Sequence, residues 1–233
     1  MTLRSVATGR SAFTTFFQIL PRLATVVRHM RPTWHVAVLA DVTPQFLERH
    51  GIKGCIWDVD GTLTGDRRPA LAPQAAGPFA ALLGRADLAH VVLSNASEER
   101  YRQLGTIFPA VPILRGYQRG AETRLRRLQG TTDSWTAADL EAALQGGFQV
   151  IRKPDGRLVE YALAELKLAK AEVVMVGDQY MTDIAGANLG GVRSIKLPTI
   201  EGPTFRRVVR FSQRLEGIIY FVLYGVPRWS EAK

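Results

Sequence analysis

Residues 52–59, IKGCIWDV, form a nearly continuous apolar run that ends in acids. A strand without a polar face must be covered on both sides, which restricts the chain to a sheet sandwiched between other layers. Similar short runs recur at 90–93 (HVVL), 148–151, 173–176 (VVMV) and 192–197. Segments with helical spacing lie between them. One covers 73–84, and SEERYRQLG begins at Ser97 as a capped helix. Another covers 156–169, with Leu158, Tyr161, Ala162, Leu166 and Ala169 on one face. A last one covers 182–189 and stops at Gly190-Gly191. Buried strands alternating with helices predict an α/β fold, a Rossmann-like three-layer α/β/α arrangement around a parallel sheet. Such folds bind ligands outside the carboxyl ends of their strands, so the polar residues that end each run are the ones to follow.

The first run ends in Asp58-Val-Asp60-Gly-Thr62-Leu-Thr64. Two carboxylates two residues apart face the same way in an extended chain, and like charges that close are costly without a cation between them. Gly61 lets the backbone turn. The second run ends in Ser94-Asn95 before a helix start, where a hydroxyl and amide groups can hold an anion. Lys153-Pro154 precedes another helix, and the fourth run ends in GDQYMTD, which carries Asp178 and Asp183. Carboxylates favour a hard cation such as Mg²⁺, while an ammonium and a hydroxyl suit phosphate oxygens. A carboxylate beside a metal-bound phosphate is a nucleophile for in-line attack.

These four segments, in this order and at strand ends, resemble the motifs of the haloacid dehalogenase (HAD) superfamily. DVDGTLT resembles the first, Ser94 the second, Lys153 the third and GDQYMTD the fourth, over roughly residues 50–200. The resemblance implies that Asp58 is the nucleophile that forms an aspartyl-phosphate. It implies that Asp60 is the acid and base, its carbonyl also binding the metal. Thr62 would support that loop, and Ser94, Asn95 and Lys153 would hold the phosphoryl group. Mg²⁺ would be bound by Asp58, Asp60, Asp178 and Asp183, with Asp183 acting directly, through water, or as the orienter of Lys153. A carboxylate at Asp60 favours phosphatases over dehalogenases and P-type pumps.

About 29 residues separate Thr64 from Ser94, and a helix uses most of them, so no large cap domain fits there. Residues 115–147 interrupt the strand–helix rhythm. They read as a basic helix (AETRLRRLQ), then TTDS, then a second helix over 136–145 with Thr136 and Asp139 as a capping pair. We expect an insertion above the sheet. DVTPQFLERHGIKGCIWDVDGTLT and GDQYMTDIAGANLGGVRSIKLP further resemble the YqeG-like, phosphatidylglycerophosphatase branch of HAD subfamily IIIA. The basic segment FRRVVRFSQRLE resembles the C-terminal helix of that branch. The chain departs from the branch at Gly61, where Asn is usual, and in the 115–147 insertion. An open site suits a phosphate that projects from a large body, such as a lipid head group.

Charge fits such a substrate without selecting it. Lys plus Arg total 30 against 21 acids, a net charge of +9. Arg4, Arg10, Arg22, Arg28 and Arg31 lie in an acid-free stretch over 1–40. Arg115, Arg119, Arg124, Arg126 and Arg127 form a second cluster, and Arg206, Arg207, Arg210 and Arg214 a third. Basic surface attracts nucleic acid, anionic lipid or phosphorylated metabolites alike. No RNA-binding aromatic motif or DNA-reading helix pair is evident, and nucleic acid is not the expected partner. Cys55 is the single cysteine, so an internal disulfide is excluded, and its apolar run makes it a buried thiol.

The ends suit a peripheral membrane protein. Phe13, Phe16, Phe17, Leu20, Leu23, Val27 and Met30 recur with helical spacing among arginines, with Pro21 expected to kink that helix. Tyr220, Phe221, Tyr224 and Trp229 flank the short apolar segment 217–226 and read as an interfacial anchor. That segment is shorter than the ~20 residues that span a bilayer. The division expected is a basic amphipathic segment over 1–40, the phosphatase core over 41–202 and a basic, apolar C-terminal helix over 203–233. The location expected is cytoplasmic, on the inner face of a membrane, or mitochondrial if the Arg-rich start is a transit peptide. Two alternatives remain: a soluble phosphatase acting on a sugar phosphate, nucleotide or nucleic-acid end, and a basic binding protein with a vestigial site.

Overall fold

The structure, a computed structural model, describes residues 23–202, 205, 207–227 and 229–230. The aromatic stripe expected at Phe13, Phe16, Phe17 and Leu20 lies outside the described residues. The chain enters through α1 (Leu23–Arg28), β1 (Trp34–Val36), a short 3-10 turn and α2 (Pro44–Arg49). Next come β2 (Gly54–Trp57), α3 (Pro73–Leu83), β3 (Ala89–Leu93) and α4 (Glu98–Ile107). The middle holds β4 (Ile113–Arg119), β5 (Glu122–Gln129), β6 (Thr132–Asp133), α5 (Ala137–Gln145) and β7 (Gln149–Val150). The chain then forms α6 (Arg157–Leu166), β8 (Val173–Gly177), a wide helical turn over Tyr180–Ile184, α7 (Ala185–Gly190) and β9 (Arg193–Lys196). It closes with α8 (Arg207–Tyr224) and β10 (Trp229–Ser230).

Side-chain alternation along the central strands builds the three layers. Cys55 and Trp57 of β2 and Val174 and Val176 of β8 join Phe79 and Leu82 of α3 and Tyr101 and Leu104 of α4. Ile56, Val173 and Met175 point the other way, onto Leu158, Val159 and Ala162 of α6 and Ala187 of α7. Burial pushes the Cys55 thiol up to about 12, so it is a packing residue, as expected. The sheet order is β10-β1-β9-β8-β2-β3-β4-β5-β6, parallel from β10 through β4. This is the Rossmann-like α/β/α fold expected.

Local signals are met at several helix ends. The Thr43 side chain accepts a hydrogen bond from the Phe46 amide at 3.0 Å, Pro44 opens α2, and Gly51 follows it at a φ of 63°. Ser97 caps α4 and receives the Arg100 amide, with Glu98 and Glu99 in the positive first turn. Thr136 and Asp139 form the reciprocal capping box of α5.

The insertion corrects two expectations. AETRLRRLQ is the strand β5, and it extends the sheet in its own plane at the edge. It pairs antiparallel with β4 from Arg119↔Glu122 to Ile113↔Leu128. Two-residue turns bracket it, with Gly120 at a φ of 58° and Gly130 at 57°. Arg126 is buried at its centre, donating to both Glu98 oxygens at 3.0 Å and to Asp133 at 2.9 Å. That fixed pairing outweighs the helical preference of an Arg- and Leu-rich segment. β7 takes the other edge of β4, opposite Tyr117 and Gln118, beyond the point where β3 ends. Tyr117, Phe148 and Ala143 of α5 pack there with Trp135 as a satellite core.

The sheet also reaches past both limits of the expected core. β1, inside the segment assigned to 1–40, pairs with β9, and β10 lies beyond the strand read as last. α8 is a single helix running through Gly217. Tyr220 is buried on it, stacked on Tyr180 at 4.3 Å. The Tyr224 hydroxyl donates to the Val27 and Arg28 carbonyls at 3.0 and 2.9 Å. Both tyrosines therefore bind the core and are not interfacial anchors. Met30, at the end of the N-terminal stripe, is buried in the same cluster as Val26, and the stripe's Val27 packs against it.

Candidate active site

The β2 ladder continues through Asp58, whose amide donates to the Val176 carbonyl at 2.9 Å. The chain then turns tightly: the amides of Thr62, Leu63 and Thr64 all converge on the Val59 carbonyl, and Gly61 sits at a φ of 101°. A Cβ at Gly61 would lie 2.5 Å from Asp178 Oδ2, so the turn needs glycine for its conformation and for the carboxylate packed on it.

This turn separates the two acids of the first motif. The buried Asp58 carboxylate accepts from Lys153 Nζ at 2.5 Å through Oδ1 and from the Thr62 hydroxyl at 3.1 Å through Oδ2. Asp60 turns to Arg100 on α4, whose Nη2 donates to Oδ1 at 2.6 Å and whose Nε reaches Oδ2 at 3.4 Å. Thr64 and the Arg67 amide complete its shell at 3.1 and 3.2 Å. The charge opposing the Asp60 carboxylate is thus a guanidinium, not a cation shared with Asp58. Arg100 is itself buried and further fixed by donating to the Arg68 carbonyl at 2.8 Å and Gln103 at 2.6 Å.

Lys153 links the first and fourth motifs. Its ammonium also donates to Asp183 Oδ1 at 2.6 Å. Burial alone would lower this lysine, but Asp183 and Asp58 overcome it and hold the ammonium above its ordinary value. Burial and Asp183 push the Asp58 carboxyl well above the usual range, with Lys153 opposing them. Asn95 sets the position of Lys153: its Oδ1 accepts from the Lys153 amide at 2.8 Å and its Nδ2 donates to the Lys153 carbonyl at 3.2 Å. Both ends of the Asn95 side chain are therefore engaged by the Lys153 backbone, which makes that side chain a positioning group. The β2–β3 register, Trp57 opposite Val92, brings Ser94 alongside the Asp58 turn.

Asp58, Asp178 and Asp183 each present a carboxylate oxygen within 4.8 Å of the others, all three residues buried. Asp178 Oδ2 accepts from Thr199 at 2.7 Å and from Gln213 of α8 at 3.1 Å. Its Oδ1 is buried with no hydrogen-bond partner. An orphaned buried oxygen of this kind costs about 1–3 kcal/mol unless something binds it. Burial, with Asp183 adding to it, pushes Asp178 up to about 7. Three crowded carboxylates, one of them with an orphaned oxygen, fit a hard divalent cation.

The structure thus assembles Asp58, Thr62, Lys153, Asp178 and Asp183 directly and places Ser94 and Asn95 on the adjoining strand end. Arg100, Thr199, Gln213 and Glu216 escape sequence reasoning. Glu216 is buried beside the site, its Oε2 accepting from the Met181 amide at 3.2 Å, and burial pushes it up to about 7. The one signal for Glu216 was its place as the single acid of a basic helix.

Known proteins resemble this chain. A hydrolase-like family model, described as HAD-hydrolase-like, matches residues 150–199, the stretch from Lys153 through Asp183 to β9. The chain is similar to the probable phosphatase YqeG of Bacillus subtilis (strain 168), with 24% identity over 86% of this chain and 96% of that protein. It is also similar to the chloroplastic phosphatidylglycerophosphate phosphatase 1 of Chlamydomonas reinhardtii, with 30% identity over 79% of this chain. The aligned stretch spans 56% of that algal protein's length. Among solved structures, an uncharacterized protein from Listeria monocytogenes serotype 4b aligns with a TM-score of 0.39 and 20% identity, over 65% of this chain and 88% of that one.

Proposed function

We propose that this chain, which belongs to the haloacid dehalogenase superfamily and is a phosphatase of its YqeG-like branch, hydrolyses phosphatidylglycerophosphate to phosphatidylglycerol at a membrane surface. The observation that carries the chemistry is Lys153, shared at 2.5 and 2.6 Å between Asp58 and Asp183, beside the orphaned Asp178 Oδ1. The lipid substrate is supported by the similarity to the algal enzyme, by the short connection between Thr64 and Ser94, which holds no large cap, and by the basic charge of the chain.

Asp58 attacks the phosphorus in line, the bond from phosphorus to the alcohol oxygen breaks, and Asp60 gives the departing oxygen its proton. Asp60, now ionised, takes a proton from water, which attacks the aspartyl-phosphate and frees inorganic phosphate and Asp58. Arg100 holds the Asp60 carboxylate in place through both steps. Lys153, held by Asp183 and the Asn95 side chain, neutralises charge that builds on the phosphoryl oxygens. Thr62 fixes the orientation of the nucleophile. Asp58, Asp178 and Asp183, with the Asp60 carbonyl, would hold Mg²⁺, which supplies charge neutralisation at the phosphoryl group. The reading extends to location: a cytoplasmic protein, peripheral on the inner face of a membrane.

The test is inorganic phosphate release from phosphatidylglycerophosphate in mixed micelles, with and without Mg²⁺, beside a panel of soluble phosphate esters. Mg²⁺-dependent release from the lipid, far above the panel and absent in Asp58→Asn, is the expected result. Release from a soluble ester alone would keep the chemistry and discard the lipid.

A further inference from the structure

α8 has two faces with opposite tasks. At 3.6 residues per turn, Gln213, Glu216 and Tyr220 share one side. That side meets the core: Gln213 donates to Asp178 Oδ2, Glu216 accepts from the Met181 amide and Tyr220 stacks on Tyr180. Phe211, Leu215, Ile218 and Val222, spaced by four, three and four, form a stripe on the opposite side. Phe211, Ile218 and Val222 are 69%, 60% and 73% exposed. A soluble surface helix normally carries its charges there. The helix has three arginines, Arg207, Arg210 and Arg214, and its single acid, Glu216, is turned inward and buried. Of these arginines, Arg214 is exposed at the flank of the stripe, so the outer side combines an apolar stripe with a basic edge. Among the described residues no helix is long and apolar enough to cross a membrane. An amphipathic helix of this kind lies in the plane of an anionic interface.

We propose that the outer stripe of α8 docks on an anionic lipid bilayer, and that Gln213, on the inner side of the same helix, positions the metal-binding carboxylate of Asp178. The link to catalysis rests on the phosphatase reading above. The arrangement joins the membrane to the reaction centre through one rigid element: the helix that takes up lipid contact is the one that hydrogen-bonds Asp178.

The experiment is sedimentation of the full chain with vesicles of equimolar phosphatidylglycerol and phosphatidylcholine, against phosphatidylcholine alone. Hydrolysis of p-nitrophenyl phosphate serves as a soluble readout. The chain should pellet with the anionic vesicles, less so as salt rises. The variant Phe211→Ser/Ile218→Ser/Val222→Ser, changed only at exposed positions, should lose roughly tenfold or more in vesicle partitioning while hydrolysing the soluble ester unchanged. Gln213→Ala should still pellet and keep its metal-free melting temperature, but need several-fold more Mg²⁺ both for half-maximal rate and for the rise in melting temperature that Mg²⁺ brings. A native chain that stays in the supernatant, or a triple variant that pellets as well as the native one, overturns the docking. So does a lipid-free dimer that the triple variant abolishes, which would assign the stripe to a second copy. An unchanged Mg²⁺ requirement in Gln213→Ala overturns the positioning role. Pelleting without hydrolysis of phosphatidylglycerophosphate leaves the docking standing and removes the substrate reading.

Discussion

Replacing Asp178 by Asn should make the metal-free protein more stable at alkaline pH while destroying its response to Mg²⁺. The Asp178 carboxyl is pushed from an ordinary value of 3.8 to about 7 by burial and by Asp183. The folded chain therefore holds this proton more tightly than the unfolded chain does. The resulting stabilisation is fully present below pH 3.8 and is lost as pH rises through about 7. A rise of this size corresponds to on the order of 4 kcal/mol, at 1.36 kcal/mol per pH unit. For a chain of this length that is about 8–16 °C in melting temperature. The substituted amide side chain would carry no charge and can still accept from Thr199 and Gln213 through its oxygen. Its NH₂ group would stand where Asp178 Oδ1 is now an orphan. Thermal melts in EDTA at pH 5 and pH 8 read the part lost between pH 5 and about 7, about 3 kcal/mol or about 6–12 °C. The native protein should melt well below its own pH 5 value at pH 8, and the variant should recover most of that loss. The slope due to Glu216, also pushed up to about 7, remains in both proteins. Added Mg²⁺ should raise the melting temperature of the native chain at pH 8 and not that of the variant. A variant no more stable than the native chain at pH 8 in EDTA would refute the view of Asp178 as a carboxylate held under electrostatic load.

Three further outcomes follow from the same geometry. Lys153→Met leaves Asp58 and Asp183 buried without their ammonium; it should cost about 3–5 kcal/mol in a denaturant titration at neutral pH and lower kcat by roughly 10²–10³. Arg100→Lys keeps the charge but loses the two-pronged grip on Asp60, so kcat should fall roughly tenfold or more with KM little changed; equal kcat values in steady-state assays would remove Arg100 from the mechanism. Gly61→Ala places a methyl group against the Asp178 carboxylate in a backbone conformation that L residues rarely adopt; a Mg²⁺ titration of activity should show at least tenfold weaker dependence, with a stability loss of about 1–3 kcal/mol.

The strand ends were legible because each follows a short buried run, and a parallel sheet gathers such ends along one edge. Asp58, Lys153, Asp178 and Asp183 could be named for that reason. Helix caps were equally legible, since Thr43, Ser97 and Thr136 act on amides within three residues. β5 was not. Leu125 and Leu128, spaced by three among arginines, imitate a helix, and the turn glycines Gly120 and Gly130 were the overlooked sign. Arg100 was hidden because its partner Asp60 lies 40 residues away and α4 otherwise looks like a charged surface helix. Gln213 was hidden for the same reason, 35 residues from Asp178 in a segment dominated by arginine. Three residues are too few for β1 to display alternation, and its pairing is set by β9.

The pairing of β1 with β9 also governs when the protein can begin to work. Thr33 and Ser194 hydrogen-bond across 161 positions of sequence. Asp58 is made early, yet Asp178 and the α8 side chain that holds it are made near the end. At ~5–20 residues per second, Asp58 emerges roughly 8–30 s before Gln213 is added. During that interval β1 and β2 lack the neighbours β9 and β8 that flank them in the finished sheet, and their apolar edges stand open to mispairing. Long-range parallel pairing of this kind is slow to form. The site is therefore completed late, only once α8 has been made.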